Sequence, residues 1–144
     1  MNEGNLWEWL RDVALPIGHY SRIESPDTAV GFPDIHYQIG FGICGTIELK
    51  YSNAIARPFP NEEKGLHRSQ LKWIRDNVAR WGYVWIIAEV PPHIFVINGT
   101  DADQFNGATD IELHNLAICT LYRDEPENAA KFLHNIMTTW RYDK

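Results

Sequence analysis

The stretch Gly31–Lys50, GFPDIHYQIGFGICGTIELK, constrains this 144-residue chain more than any other. Two runs, Asp34–Ile39 and Ile43–Lys50, alternate with period two around Gly40-Phe41-Gly42. Glycine at both ends of so short a segment predicts a tight hairpin, because glycine enters the φ > 0 region at little cost. Asp34, His36 and Gln38 fall on one face of the first run, with Ile35, Tyr37 and Ile39 on the other. In the second run Thr46, Glu48 and Lys50 oppose Ile47 and Leu49, so each run reads as a half-buried strand. A three-residue loop sets Ile39 across from Ile43, His36 across from Thr46 and Asp34 across from Glu48. Polar then meets polar along the whole ladder, whereas a one-residue slip scrambles both faces.

Directly opposed side chains have Cβ atoms about 4.5–5.5 Å apart, where like charges destabilise. Two acids so placed, with Lys50 two residues beyond Glu48, call for a divalent cation between them. The alternative, Asp34 closing the hairpin and Glu48–Lys50 as a surface ion pair, suits an isolated ExK better than one facing an aspartate. His36 lies on the same face, within reach of the site or of the Thr46 hydroxyl; the hydrogen bond to Thr46 is the favoured reading. Glu24, returned toward Asp34 by the Pro26–Gly31 turn, is either a further acidic ligand or a surface charge.

The formal charge of −6 speaks against a polyanionic partner until its distribution is considered. Leu49–Trp81 carries seven Lys/Arg and three acids, and the rest six basic and sixteen acidic residues. A local field steers a polyanion more than net charge does. Arg57, Lys64, Arg68 and Lys72, with His67 at a helix start, are therefore candidate phosphate contacts, the alternative being a solvated helix face. The remaining histidines show no ligand spacing.

A single domain, 1–144, follows from length and from an ordinary composition of 44% hydrophobic and 22% charged residues. No run of about 18 apolar residues is present, so no membrane span is expected. The N-terminal MNEGNLWEWLRD lacks a basic leader. Cys44 and Cys119 form no CxxC pair, which fits a reduced, cytosolic setting. Asn98-Gly99-Thr100 reads as a turn rather than a glycosylation site.

Apolar spacing predicts a helix over Asn5–Val13 (Leu6, Trp9, Leu10, Val13), its tryptophans more in keeping with core than with a stacking platform. His19–Val30 reads as irregular or a short edge strand. Tyr51–Gly65 is a long loop, expected to overhang whatever Lys50 touches. Leu66–Trp81 reads as a helix with Leu71, Ile74, Val78 and Trp81 inward and Gly82 as its C′ stop. Val84–Val90 is apolar enough for a central strand, parallel to Ile43–Lys50 across the helical crossover. His93–Ile97 follows as a strand, then a short helix opened by Thr100 and Asp103. Asp110–Arg123 fits a helix, a strand or one after the other. A last helix opens at Pro126 with Ala129, Phe132, Leu133, Ile136 and Trp140 inward. The class is α/β with a mixed sheet.

Gly31-Phe32-Pro33-Asp34, Glu48-Leu49-Lys50 and Gln70 on the next helix together resemble the PD-(D/E)xK nuclease superfamily. The form GFPD…IELK…Q is similar to small phage-type nucleases of the Holliday-junction-resolvase-like and virus-type replication-repair groups, over roughly residues 21–98. The resemblance implies a restriction-endonuclease-like mixed sheet flanked by helices. It implies Asp34, Glu48 and the Leu49 carbonyl as ligands of Mg²⁺ or Mn²⁺, ions suited to oxygen donors. Lys50 would orient or activate the attacking water, and Gln70 would orient Lys50 or a phosphate. The implied activity is metal-dependent endonucleolysis of branched DNA such as Holliday junctions, by a homodimer in the cytoplasm of a bacterial or phage-infected cell. The alternatives are a nicking, restriction-like or single-strand nuclease of the same fold, or a catalytically silent nucleic-acid-binding module.

Overall fold

A computed structural model describes residues 2–22 and 34–140 of the chain. Its centre is the expected hairpin: β2 (Ile35–Ile39) and β3 (Ile43–Tyr51) join through a single 3₁₀ turn at Gly40–Gly42. Gly42 takes φ +72°, the left-handed conformation the turn needs. Ile39 pairs with Ile43, His36 with Thr46 and Ile35 with Ile47, the register set by the alternating pattern.

The hairpin lies within a six-stranded mixed sheet of order β1-β2-β3-β4-β5-β6. β1 (Gly18–Arg22) is an exposed edge, antiparallel to β2. β4 (Val84–Val90) runs parallel to β3 with Lys50 beside Ala88, which requires a crossover, and α2 (Arg68–Ala79) lies within it. β5 (His93–Asn98) and β6 (Cys119–Leu121) complete the sheet antiparallel. Helices flank the sheet in a single small α/β domain, consistent with a restriction-endonuclease-like fold. No helix among the described residues is long and apolar enough to cross a membrane.

Each face of the sheet has its own core. Ile35, Tyr37, Ile47, Leu49, Trp85 and Ile87 pack with α1 (Glu3–Trp9) and α4 (Pro126–Thr139). Val84, Ile86, Ala88, Phe95 and Ile97 pack with α2 and α3 (Asp110–Leu116). β4, apolar at nearly every position, is buried on both faces as its composition predicts. β3 departs from expectation, because Thr46, Glu48 and Lys50 are buried with Ile47 and Leu49. The polar face of this strand is turned into the protein rather than to water.

Other differences have local causes. α1 passes into a π-helical turn at Leu10–Ala14, whose wider pitch brings Ala14 inward and leaves Val13 exposed. Trp7, rather than Trp9, is the buried member of the tryptophan pair. α2 begins only at Arg68, after the Gln70 side chain accepts the His67 N–H at 2.9 Å. At its other end Trp81, not Gly82, has the positive φ of +64°. Gly82 N–H bonds to the Asn77 carbonyl and Trp81 N–H to that of Val78, the two bonds of a Schellman motif. A Cβ at Gly82 would stand 1.6 Å from Asn77 Oδ1, so a larger residue there would have to displace the Asn77 side chain.

Asn98, not Thr100, caps the 3₁₀ segment Gly99–Gln104, accepting the Thr100 N–H. The ambiguous region resolves as α3, opened by a Thr109–Glu112 capping box, followed by β6. Phe132 of α4 is half-exposed, and Met137 is buried with Leu133 and Ile136. The crossover loop is tied to the chain before α3: Phe59 stacks on Phe105, and Asn106 exchanges two hydrogen bonds with Leu66.

A candidate metal centre on the central hairpin

The end of β2 and the polar face of β3 converge on one cluster. Asp34, just before β2, accepts the Leu49 N–H on Oδ2 at 2.8 Å. In an extended strand a residue's N–H and C=O point to the same edge, so the Leu49 carbonyl also faces the Asp34 side. Glu48 is buried, and its Oε1 accepts the Gln70 side-chain N–H at 2.8 Å. Lys50 Nζ lies 3.6 Å from the same Oε1 and donates to Gln70 Oε1 at 3.4 Å. Gln70 thereby holds Glu48, Lys50 and its own helix start at once.

Charge in this cluster is not balanced. Burial pushes the Glu48 carboxyl well above the ordinary glutamate value, and the neighbouring Asp34 raises it further. Lys50 opposes the shift without cancelling it, while contact with the Asp34 carboxyl and the charge of Glu3 add to it. Glu48 Oε2 has no hydrogen-bond partner among the described residues. Two ionised carboxylates offer each other only acceptors, so a proton or a cation must stand between them for both to be buried together. Glu89, the other buried acid among the described residues, differs. The Arg123 fork meets both of its oxygens, at 2.6 and 2.7 Å.

A third acid, not identified from the sequence, feels the field of this cluster. Glu3, in the first turn of α1, has its carboxyl raised by burial and then by Asp34, with Lys50 and Arg22 opposing. Its only local signal was an acid at a helix N-terminus, where the dipole favours it for structural reasons alone. The donors at the hairpin are the Asp34 and Glu48 carboxylates and a main-chain carbonyl, all oxygen. Such a set fits Mg²⁺ or Mn²⁺ and not a soft metal. Glu48 Oε2, with no donor among the described residues and the Asp34 carboxyl beside it, is an oxygen that a cation would satisfy.

The remaining predicted residues divide. Glu24 lies outside the described residues. His36 is exposed beside the site, while the Thr46 hydroxyl donates to the Tyr83 carbonyl at 3.5 Å instead of pairing with it. Arg57 and Lys64 line a polar cleft of about 350 Å³ with Tyr51, Ser52 and Asn53 where β3 ends. Arg57 also donates to the Gly107 carbonyl. His67, Arg68 and Lys72 share a shallow surface at the α2 N-terminus. Arg68 pairs with Glu62 and Lys72 with Asp76, both pairs well exposed and worth little to stability. Both cysteines are free. No protein-family model and no curated protein sequence matches this chain.

Proposed function

We propose that this chain is a PD-(D/E)xK nuclease, a Mg²⁺- or Mn²⁺-dependent endodeoxyribonuclease that hydrolyses phosphodiester bonds in branched DNA. The observation that carries the reading is the buried Glu48 carboxylate. It is opposed by Asp34 and only half satisfied by Gln70 and Lys50. A purely structural strand has no use for such a charge, since an apolar residue would be cheaper to bury.

Asp34, Glu48 and the Leu49 carbonyl would hold the metal. When bound, the ion would supply Lewis-acid stabilisation of charge on the scissile phosphate. The chain's own residues would do the positioning. Gln70 fixes the Glu48 carboxylate from one side and the Lys50 ammonium from the other. Lys50 then presents its remaining N–H donors to the attacking water and to the phosphoryl oxygens that gain negative charge. Water forms the new P–O bond as one ester P–O bond breaks, and the departing alkoxide takes up a proton. Arg57, Lys64, Arg68 and Lys72 would hold flanking phosphates. Phosphate contacts position DNA without reading its sequence, which suits selection by shape. A homodimer would match the two-fold symmetry of a four-way junction.

The test is cleavage of a labelled panel (four-way junction, fork, flap, duplex, single strand) in Mg²⁺ and in Mn²⁺. The wild type is expected to cut the junction and to leave single strands intact. Asp34→Asn and Glu48→Gln should each lower the rate by on the order of 10³-fold, about 4 kcal/mol in the barrier. Full activity in either variant rules out the proposed centre. Binding of every substrate without cleavage by the wild type identifies a silent DNA-binding module instead.

A further inference from the structure

A second cluster of ligand-type side chains stands apart from the central hairpin. His93 opens β5, and Asp110 and His114 lie one turn apart on α3. One ligand atom from each lies within 4.8 Å of the other two, and all three residues are partly exposed. We infer that His93, Asp110 and His114 form a binding site for a divalent transition-metal ion of the zinc type, with a water position open to solvent. The inference does not depend on the nuclease reading.

The geometry is that of ligands set around a common point. His114 Nε2 and Asp110 Oδ2 are 3.6 Å apart. Donors bound at ~2.0–2.1 Å in a tetrahedron stand roughly 3.3–3.4 Å from one another, so that pair needs only a few tenths of an ångström and His93 no more than about 1.5 Å, within the reach of side-chain rotation. The rings of His93 and His114 are nearly perpendicular, at 79° with centroids 4.6 Å apart, so they are not held as a stack. An i,i+4 ion pair explains Asp110 and His114 but leaves out His93, which a separate strand brings to the same place.

The positions of these rings are fixed from behind. His93 stacks on Phe95 at 5.7 Å, Phe95 meets the His114 ring edge-on at 4.8 Å, and Tyr122 meets His93 at 5.6 Å. His93 and Phe95 share one face of β5 by the period of two, and that face packs against α3. These rings form an aromatic wall behind the two imidazoles, and all three ligand residues stay partly exposed. Two imidazoles and one carboxylate suit zinc, cobalt or nickel, whereas the all-oxygen set at Glu48 suits magnesium. The clusters lie two strands apart, on the order of 10 Å across the sheet, so they would not share an ion. An ion here would fasten α3 to β5.

Co²⁺ titration of the full chain, followed by its visible d–d absorption, tests the site. One equivalent giving a four-coordinate spectrum is expected, displaced by Zn²⁺. His93→Gln and His114→Gln should each weaken binding by at least the tenfold to hundredfold that loss of a mere supporting contact costs. Glu48→Gln should leave the spectrum unchanged. Zn²⁺ should raise the thermal midpoint of wild type and Glu48→Gln but not of His114→Gln. If a histidine variant does not fold, the half-exposed Asp110→Asn carries the same comparison. No absorbing Co²⁺ complex in the wild type overturns the inference. So does a complex that survives in His114→Gln or is lost in Glu48→Gln.

Discussion

Glu48 and Glu89 are both acids buried in the sheet, and they behave oppositely because of their partners. Arg123 meets both oxygens of Glu89, while Glu48 keeps one oxygen without a donor. Its raised carboxyl has a definite consequence for stability. A group whose folded pKa lies above its unfolded value stabilises the fold fully below the unfolded value and loses that contribution as pH rises through the folded one. The metal-free protein should therefore lose thermal stability as pH climbs above the ordinary glutamate value of 4.5. Melting curves across that range should show the loss in wild type, a smaller one in Mg²⁺, and little in Glu48→Gln. By removing the buried charge, Glu48→Gln should raise the metal-free melting temperature by a few degrees at neutral pH, about 1 kcal/mol for a domain of this size. Gln70 acts on three groups, so Gln70→Ala should cost about 1–2 kcal/mol through the lost helix-start bond and the freed Glu48 oxygen. Denaturant unfolding measures it.

At the scale of elements, legibility followed locality. Period two and a loop too short to slip specified the β2–β3 register. With it came the neighbourhood of Asp34 and Glu48. Gln70 was legible only through the family resemblance, since a long loop separates its helix from the hairpin. Glu3 was not, since only the packing of α1 brings it near Asp34. His93 and His114 were missed for the same reason, compounded by an α3 segment whose pattern fitted either helix or strand. The burial of Lys50 and Thr46 was equally invisible, because alternation reports polarity and not what lies above the polar face. Helix ends turned on single residues: α2 closes with Trp81 in the left-handed region and Gly82 against the Asn77 side chain. A side chain there costs roughly 1–2 kcal/mol, offset in glycine by the greater freedom of the unfolded chain.

For the whole molecule, charge sets the limit on DNA binding. The chain carries −6, and of its candidate phosphate contacts four are permanently cationic, Arg57, Lys64, Arg68 and Lys72. Each neutralised phosphate contributes about −0.9 to the slope of log K against log salt. Junction binding should therefore show a slope no steeper than roughly −4 per protomer. Lys64→Glu with Arg68→Glu should weaken binding to all DNA shapes alike while leaving the fold intact, as measured by fluorescence anisotropy over a salt series.

The parallel pairing of β3 with β4 also governs when the centre can exist. The hairpin that opposes Asp34 to Glu48 is local and can close in about 1–10 μs. Gln70 and the cover over Glu48 arrive only after the chain has run through the crossover and β4 has docked beside β3. Non-local pairing of that kind is slow. During refolding the two acids should thus face each other in water, screened and harmless, before they are enclosed. A cation present at that moment would enter with them, so Mg²⁺ should quicken the late phase of folding and leave the early one untouched.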